Sequence, residues 1–457
     1  MSCSFSKIKT LFFSLFSYFH FFVFSTSTMK PLYPSQTLVL TSTTNVKQLQ
    51  CLTMINQPSK PHKIEKTINN LENPNLSSSF SSPLRCWSSN KVGKRWMEYQ
   101  GVNNWKGLLD PLDDNLRGEI LRYGQFVSVA YKSFEFDPSS PSYGSCKFPK
   151  TTLFDKCGFP NTGYKVTKHL YATSGIELPR WLNKAPTWLS TQSSYIGYVA
   201  VCENEEEIKR LGRRDIVIAY RGTATCLEWL ENFRATLTHL PMPCKSLRNF
   251  PKDQTTPPMV ESGFLSLYTS STNSSISLQN MVHKEIGKIL QSYGSESLSL
   301  TITGHSLGAA LAALTAYYVN TTFVRLPITT VILFGGPRIG NQRFTYHLKK
   351  CKIRILRIVN SDDIVTKVPG FVFYDGYMRS QNVHLARVQR WIIKMMEKEE
   401  RVYSDVGEEL RLCSRDSPYL TSINFITCHE LNTYLHLVDG FVSSKCPFKA
   451  STNRFIT

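Results

Sequence analysis

The spacing of apolar residues changes period several times along the chain. From Asp114 to Phe134, Leu116, Ile120, Leu121, Phe126 and Val129 recur at helical intervals and predict one long helix with a buried face. Tyr195–Cys202 (YIGYVAVC) reads as a strand, and Glu205–Gly212 (EEEIKRLG) as a short helix stopped by glycine. Further β-rich runs follow at Arg214–Thr223 (RDIVIAYRGT), Leu298–Ser306 (LSLTITGHS), Thr329–Asn341 (TTVILFGGPRIGN) and Lys352–Asp363 (KIRILRIVNSDD), with helical patterns between the later ones. Strands that are apolar throughout, rather than alternating, are those buried on both faces. The pattern therefore predicts an α/β architecture: a mostly parallel central sheet flanked by helices. In such sheets chemistry gathers beyond the carboxyl ends of the strands. Asp253–Leu278 reads as loop with a short ordered piece. Phe371–Leu412 reads as an amphipathic insertion in which Trp391–Leu410 is a solvated helix packed on one face.

The N-terminal stretch has a different composition. No acidic residue precedes Glu65, and Ser, Thr and Lys are abundant, which suits a plastid transit segment rather than a core. One block, Leu11–Phe24 (LFFSLFSYFHFFVF), follows Lys7 and Lys9 and has the form of a secretory signal. It is shorter than the ~20 residues a membrane span needs. The acid-free character continues past Thr28, and Met29 offers a start that bypasses the block, so the chloroplast is expected. The endoplasmic reticulum or secretion is the alternative. Residues 1–85 are thus expected to be targeting segment and low-complexity linker, 93–448 the folded domain, and 449–457 a tail.

Net charge is +19, from 53 Lys and Arg against 34 Asp and Glu. The surplus suits a targeting segment and an anionic lipid surface. No helix-turn-helix or aromatic RNA-binding signature accompanies it, so nucleic acid is not an expected partner. The 12 cysteines include no C-x-x-C pair and are too sparse for a disulfide scaffold, so no structural metal is expected.

The chemistry concentrates in Thr301–Tyr318, TITGHSLGAALAALTAYY. Gly304-His305-Ser306-Leu307-Gly308 is G-x-S-x-G between a β-branched run and an alanine-rich helical run. Such a sharp strand-to-helix turn holds the serine in a strained conformation above the sheet, and only glycine fits two residues before and after it. Ser306 also stands at a helix N-terminus, where free N–H groups favour developing negative charge. A serine nucleophile needs a base and an acid that orients it, in the chain order Ser, Asp, His. Asp362 and Asp363 in VNSDDIVTKVP are the acid candidates, and His384, His429 and His436 the base candidates. His429 and His436 lie seven apart in CHELNTYLHLVDGF, a spacing that suits one face of a helix. Leu307 N–H is one expected oxyanion donor. Thr223, in YRGT after an earlier strand, is the other. Leu227, Trp229, Leu230, Phe233 and Leu237 in ATCLEWLENFRATLTHLP place apolar bulk near the expected site mouth, as a rim that meets lipid would.

YRGT, GHSLG, GGPRIGN and VNSDD, followed by CHELNTYLHLVDGF, resemble the class 3, fungal-lipase-like α/β-hydrolases. GKRWMEYQGVNNWKGLLDPLDDNLRGEILRYGQF and RGTATCLEWLENFRATLTHLP resemble, more closely, plant class I phospholipase A1, the plastid acyl hydrolases that include the enzyme releasing linolenate for jasmonate synthesis. The resemblance spans roughly Gly93 to Phe448. It implies the α/β-hydrolase fold, no cofactor, and hydrolysis of the sn-1 acyl ester of phosphatidylcholine, galactolipids or triacylglycerol at a membrane surface. Carried over by motif, Ser306 is the nucleophile, Asp363 the orienting acid and His429 the base, because the family's base opens an H-x-L element. His436 is then a packing neighbour.

Overall fold

A computed structural model describes residues 92–137, 139–173, 193–223, 236–241, 258–272, 275–369, 403–420 and 423–449. All fall within one compact unit, Ser82–Thr457. The expected targeting segment, most of the 224–241 rim, His384 and most of the 371–412 insertion lie outside the described residues.

One-turn pieces aside, the chain runs α1 (Asp114–Lys132), β1 (Tyr164–Thr173), β2 (Ser193–Cys202), α2 (Glu205–Leu211), β3 (Arg214–Tyr220), β4 (Leu237–His239), β5 (Met259–Glu261), α3 (Ser262–Thr269), α4 (Leu278–Tyr293), β6 (Leu298–His305), α5 (Leu307–Thr322), β7 (Ile328–Phe334), β8 (Gly340–Asn341), α6 (Gln342–Lys350), β9 (Arg354–Asn360), β10 (Tyr403–Ser404), β11 (Glu408–Leu412), α7 (Phe425–His429) and α8 (Leu431–Gly440). The main sheet has the order β1-β2-β3-β6-β7-β9-β11. β3 through β11 pair in parallel, and β1 and β2 add antiparallel strands at one edge. β10, β8, β5 and β4 form a second, small antiparallel sheet. The expected α/β architecture is present.

The sheet separates two cores. Leu300 and Ile302 of β6 pack on one side with residues of α3, α4 and α5. On the other side α1 and α8 supply Leu116, Ile120, Tyr123, Tyr434 and Val438. α1 starts where it does because the Asp113 side chain accepts the N–H groups of Asn115 and Leu116, a cap worth about 1 kcal/mol. α2 ends at Gly212, whose φ of +74° is the left-handed C-cap expected of that glycine. α5 is buried along nearly its whole length, and its alanines allow close packing beneath the strands.

Two readings need correction. Glu408–Leu412, which overlaps the end of the solvated helix expected over Trp391–Leu410 and closes the expected insertion, is edge strand β11, parallel to β9. Its Leu410 and Leu412 are buried while Glu408 and Arg411 face outward, so the charges mark an edge strand with one wet face rather than a helix. His429 and His436 do not share a helix either. His429 closes α7, and Glu430 then breaks to extended backbone before α8.

Candidate active site

Three strands deliver the candidate residues to one end of the sheet. Ser306 follows β6, Thr223 lies just beyond β3, and Asp363 just beyond β9. β3, β6, β7 and β9 are mutually parallel, so these positions share the carboxyl edge.

Ser306 has φ +57° and ψ −126°, a conformation few non-glycine residues adopt. Its N–H donates to Phe334 O at 3.0 Å, and its carbonyl accepts Ala309 N–H at 3.0 Å. The turn is too tight for side chains on either flank. A Cβ on Gly304 would stand 2.2 Å from Gly308 O, and one on Gly308 would stand 2.5 Å from Arg221 O. The residue is buried, and its Oγ has no hydrogen-bond partner. Thr223 Oγ1 is likewise unpartnered. Leu307 opens α5, so its N–H has no acceptor within the helix.

Just beyond β9, His429 Nδ1 meets Asp363 Oδ2 at 2.7 Å, with both residues buried. The Asp363 carboxylate is further held by Val365 N–H on Oδ1 at 2.9 Å and by the Tyr434 hydroxyl on Oδ2 at 2.6 Å. Burial, and then the Asp363 charge, push the Tyr434 hydroxyl well above the usual phenol range, so it stays a donor. Asp362 points elsewhere: it accepts the Cys413 thiol and pairs with Arg415 at 3.2 Å. His436 Nε2 bonds Ser417 Oγ at 2.7 Å and packs beside Tyr419 and Phe448. Of the candidates left open by spacing, Asp363 and His429 therefore meet, whereas Asp362 and His436 have other partners.

Sequence reasoning missed four residues around this pair. Tyr434 is one. Asn360, fully buried at the end of β9, donates Nδ2–H to Cys428 O at 2.9 Å and to Ser414 Oγ at 2.7 Å, tying the acid-bearing strand to the segment that carries His429. His305 Nε2 donates to the His429 carbonyl at 2.7 Å, and Tyr131 of α1 meets His305 Nδ1 at 2.7 Å. The carbonyl can only accept, so His305 carries its proton on Nε2 and accepts from Tyr131 at Nδ1. Burial and the neighbouring His429 push the His305 imidazole well below its ordinary pKa, which keeps this tautomer neutral. No local sequence signal marks these four, because each contact spans a long stretch of chain.

Chemically, the arrangement sets a strained serine at a helix N-terminus near an imidazole whose second nitrogen faces a buried carboxylate. That is the equipment for attack on an acyl carbon. Among the described residues, no group of three or more His, Cys, Asp or Glu side chains is placed to hold a metal.

Known proteins bear the same stamp. The family described as lipase (class 3) matches residues 217–373. The chain is 55% identical over 443 residues to phospholipase A(1) DAD1, chloroplastic, of Arabidopsis thaliana, covering 94% of this chain and 97% of that protein. It is 38% identical over 387 residues to phospholipase A1-Igamma1, chloroplastic, of the same plant, with 80% and 71% covered. It is 37% identical over 360 residues to galactolipase DONGLE, chloroplastic, also from Arabidopsis thaliana, with 76% and 70% covered.

Proposed function

The chain belongs to the class 3 lipases, in their plant phospholipase A1 branch, and on that premise we propose that it hydrolyses the sn-1 acyl ester of membrane glycerolipids through Ser306, His429 and Asp363. The observation that carries the assignment is the buried 2.7 Å contact between His429 Nδ1 and Asp363 Oδ2 at the strand ends that also bear the strained Ser306.

His429 Nε2 takes the Ser306 proton as Oγ attacks the ester carbonyl. Asp363 holds the ring in the Nδ1–H tautomer and stabilises the imidazolium that forms. The N–H groups of Leu307 and Thr223 receive the oxyanion. His429 returns the proton to the departing lysolipid, then activates water to release the fatty acid from Ser306. The substrates are phospholipid and galactolipid, the two lipid classes in the names of the relatives. The enzyme is chloroplastic, as those relatives are. None of them supports the secretory alternative. Residues 93–448 form the catalytic domain.

The test is product analysis on protein lacking residues 1–85. Phosphatidylcholine and monogalactosyldiacylglycerol, each with different acyl chains at the two glycerol positions, should lose only the sn-1 chain. A Ser306→Ala protein that still releases fatty acid would overturn the assignment. Release of the sn-2 chain would overturn the regiochemistry.

A further inference from the structure

Thr223 N–H shares its peptide with the Gly222 carbonyl, and Gly222 is gripped on both sides: at that carbonyl and at its own N–H, which belongs to the preceding peptide. The Gly222 carbonyl accepts Arg221 Nη1 at 2.6 Å. The Gly222 N–H donates to the Tyr131 hydroxyl oxygen at 2.8 Å. In a trans peptide the C=O and the following N–H point in opposite directions. Holding the carbonyl in the guanidinium therefore turns Thr223 N–H the other way. The grip leaves no room for error, because a Cβ on Gly222 would lie 2.8 Å from Ser306 Cβ.

Arg221 is a cation in a neutral setting. It is buried, and its partners are Gly222 O, Tyr195 O at 2.8 Å and Ser194 Oγ at 3.2 Å, all neutral. Its guanidinium lies over the Phe134 ring, 3.5 Å from the centroid. Among the described residues no carboxylate pairs with it. Burial pushes its pKa down to about 10. A buried cation without a counter-charge is costly to maintain. Its field, however, is not cancelled until negative charge appears nearby, and a charge-assisted bond to a carbonyl strengthens the N–H of the same peptide as a donor. Tyr131 extends the grip: its proton goes to His305 Nδ1, and His305 Nε2–H reaches the His429 carbonyl. One chain of hydrogen bonds thus links the Thr223 loop to the segment bearing the base.

We propose that Arg221 and Tyr131 are positioning residues of the oxyanion hole: Arg221 holds the Gly222 carbonyl and Tyr131 the Gly222 N–H, so that the next N–H, that of Thr223, faces the developing oxyanion. The proposal rests on Thr223 and Ser306 having the roles assigned above. A clamp of this kind acts on the transition state and leaves ground-state binding alone.

The experiment uses a short-chain p-nitrophenyl ester in solution, so that membrane docking does not enter. A parallel series uses an aliphatic trifluoromethyl ketone, which forms a tetrahedral oxyanion adduct with serine. Tyr131→Phe removes one oxygen atom and leaves Gly222 N–H and His305 Nδ1 without that partner, so it should fold but melt below the parent. Its kcat should fall about 10- to 100-fold, less than or equal to loss of a whole donor, with KM changed by less than about twofold. The inhibition constant for the ketone should rise by a similar factor. Arg221→Lys keeps the charge but gives up the fork, and should show the same split. It decides the matter if Tyr131→Phe does not fold. Rates within about twofold of the parent, or a loss borne by KM alone, would overturn the clamp. Ser306→Ala runs alongside: if it stays active, the nucleophile assignment fails; if it is dead while both variants turn over normally, only the clamp fails.

Discussion

Tyr434 donates to Asp363 Oδ2 at 2.6 Å, the same oxygen that faces His429 Nδ1 at 2.7 Å. One carboxylate oxygen thus fixes both the His429 imidazole and a buried phenol, and the Asp363 side chain cannot rotate without breaking both contacts. Asp363→Asn should lower kcat by about 10⁴, the scale seen when the orienting carboxylate of such a triad is neutralised. Tyr434→Phe should cost less, about tenfold, with about 1.5–3 kcal/mol of stability lost with the charge-assisted bond. Asp362→Asn, next door in sequence, should stay within a few-fold of the parent because its partners are Cys413 and Arg415. Steady-state rates on a soluble ester for the three variants check this order. Equal losses at Asp362 and Asp363 would contradict it.

The two histidines of the C-terminal segment have different partners, Asp363 for His429 and Ser417 for His436. His429→Ala should abolish hydrolysis and slow the reaction of Ser306 with a fluorophosphonate to near background. His436→Ala should leave probe labelling intact. Its cost is stability, about 1–2 kcal/mol for the Ser417 hydrogen bond and the packing against Tyr419 and Phe448. Labelling kinetics and urea melts on the pair give the answer. Loss of labelling in the His436 variant would mean the base has been misassigned.

How much of this was legible follows from where each signal lives. β3, β6, β7 and β9 announced themselves because strands buried on both faces need unbroken apolar, β-branched runs. β1 (YKVTKHLYAT) escaped notice as an antiparallel edge strand with polar and half-buried positions. β11 was misread because Glu408, Glu409 and Arg411 gave it the charge of a solvated helix. Ser306 and its glycines were legible because strain forces a local pattern, and Thr223 stood out only by its place in the turn that follows a strand. Tyr131 carries no such mark: it meets His305 across 174 residues. Spacing alone left Asp362 beside Asp363 and His436 beside His429. Only the separate partners found in three dimensions divide them.

At the opposite end of the strands, a buried network should govern acid stability. Glu119 pairs with Arg122 at 2.7 Å and Arg213 at 3.3 Å, while Asp215 takes Arg122 at 3.2 Å and the hydroxyls of Tyr123, Tyr164 and Ser299. Burial alone would raise the Glu119 pKa. The charges of Arg122 and Arg213 outweigh it and take the group from its ordinary 4.5 down to about 2. The folded value lies below the unfolded one. The contribution is therefore complete above about pH 4.5 and is lost as pH falls from there toward 2, because only the unfolded chain binds the proton. Glu119→Gln should cost roughly 3–5 kcal/mol at pH 7, since it leaves two buried guanidinium groups short of an anion. Its stability should also fall less steeply than the parent's across the acid window. Denaturant melts of both proteins from pH 7 to 2.5 supply the comparison, and parallel slopes would exclude Glu119 as the source.

Gly222 offers the sharpest steric prediction. A methyl group there would lie 2.5 Å from the Tyr131 hydroxyl oxygen, 2.8 Å from Ser306 Cβ and 3.0 Å from His305 O. The last two belong to the tight turn that holds Ser306, and that backbone has little freedom to yield. The loop after β3 must therefore move away, taking Thr223 with it. Gly222→Ala should lower kcat by about 10²-fold or more, on the scale of losing an oxyanion donor. The overpacking should cost about 1–3 kcal/mol. Gly287, on α4, serves as the contrast, because a Cβ there meets nothing closer than Phe323 at 3.8 Å. Gly287→Ala should leave kcat unchanged and raise stability by about 0.5–1 kcal/mol, as expected for alanine replacing glycine inside a helix. Rates and melting midpoints measured on both variants decide it: a Gly222→Ala protein that turns over like the parent would show that the loop tolerates displacement and that Thr223 is not held where the reaction needs it.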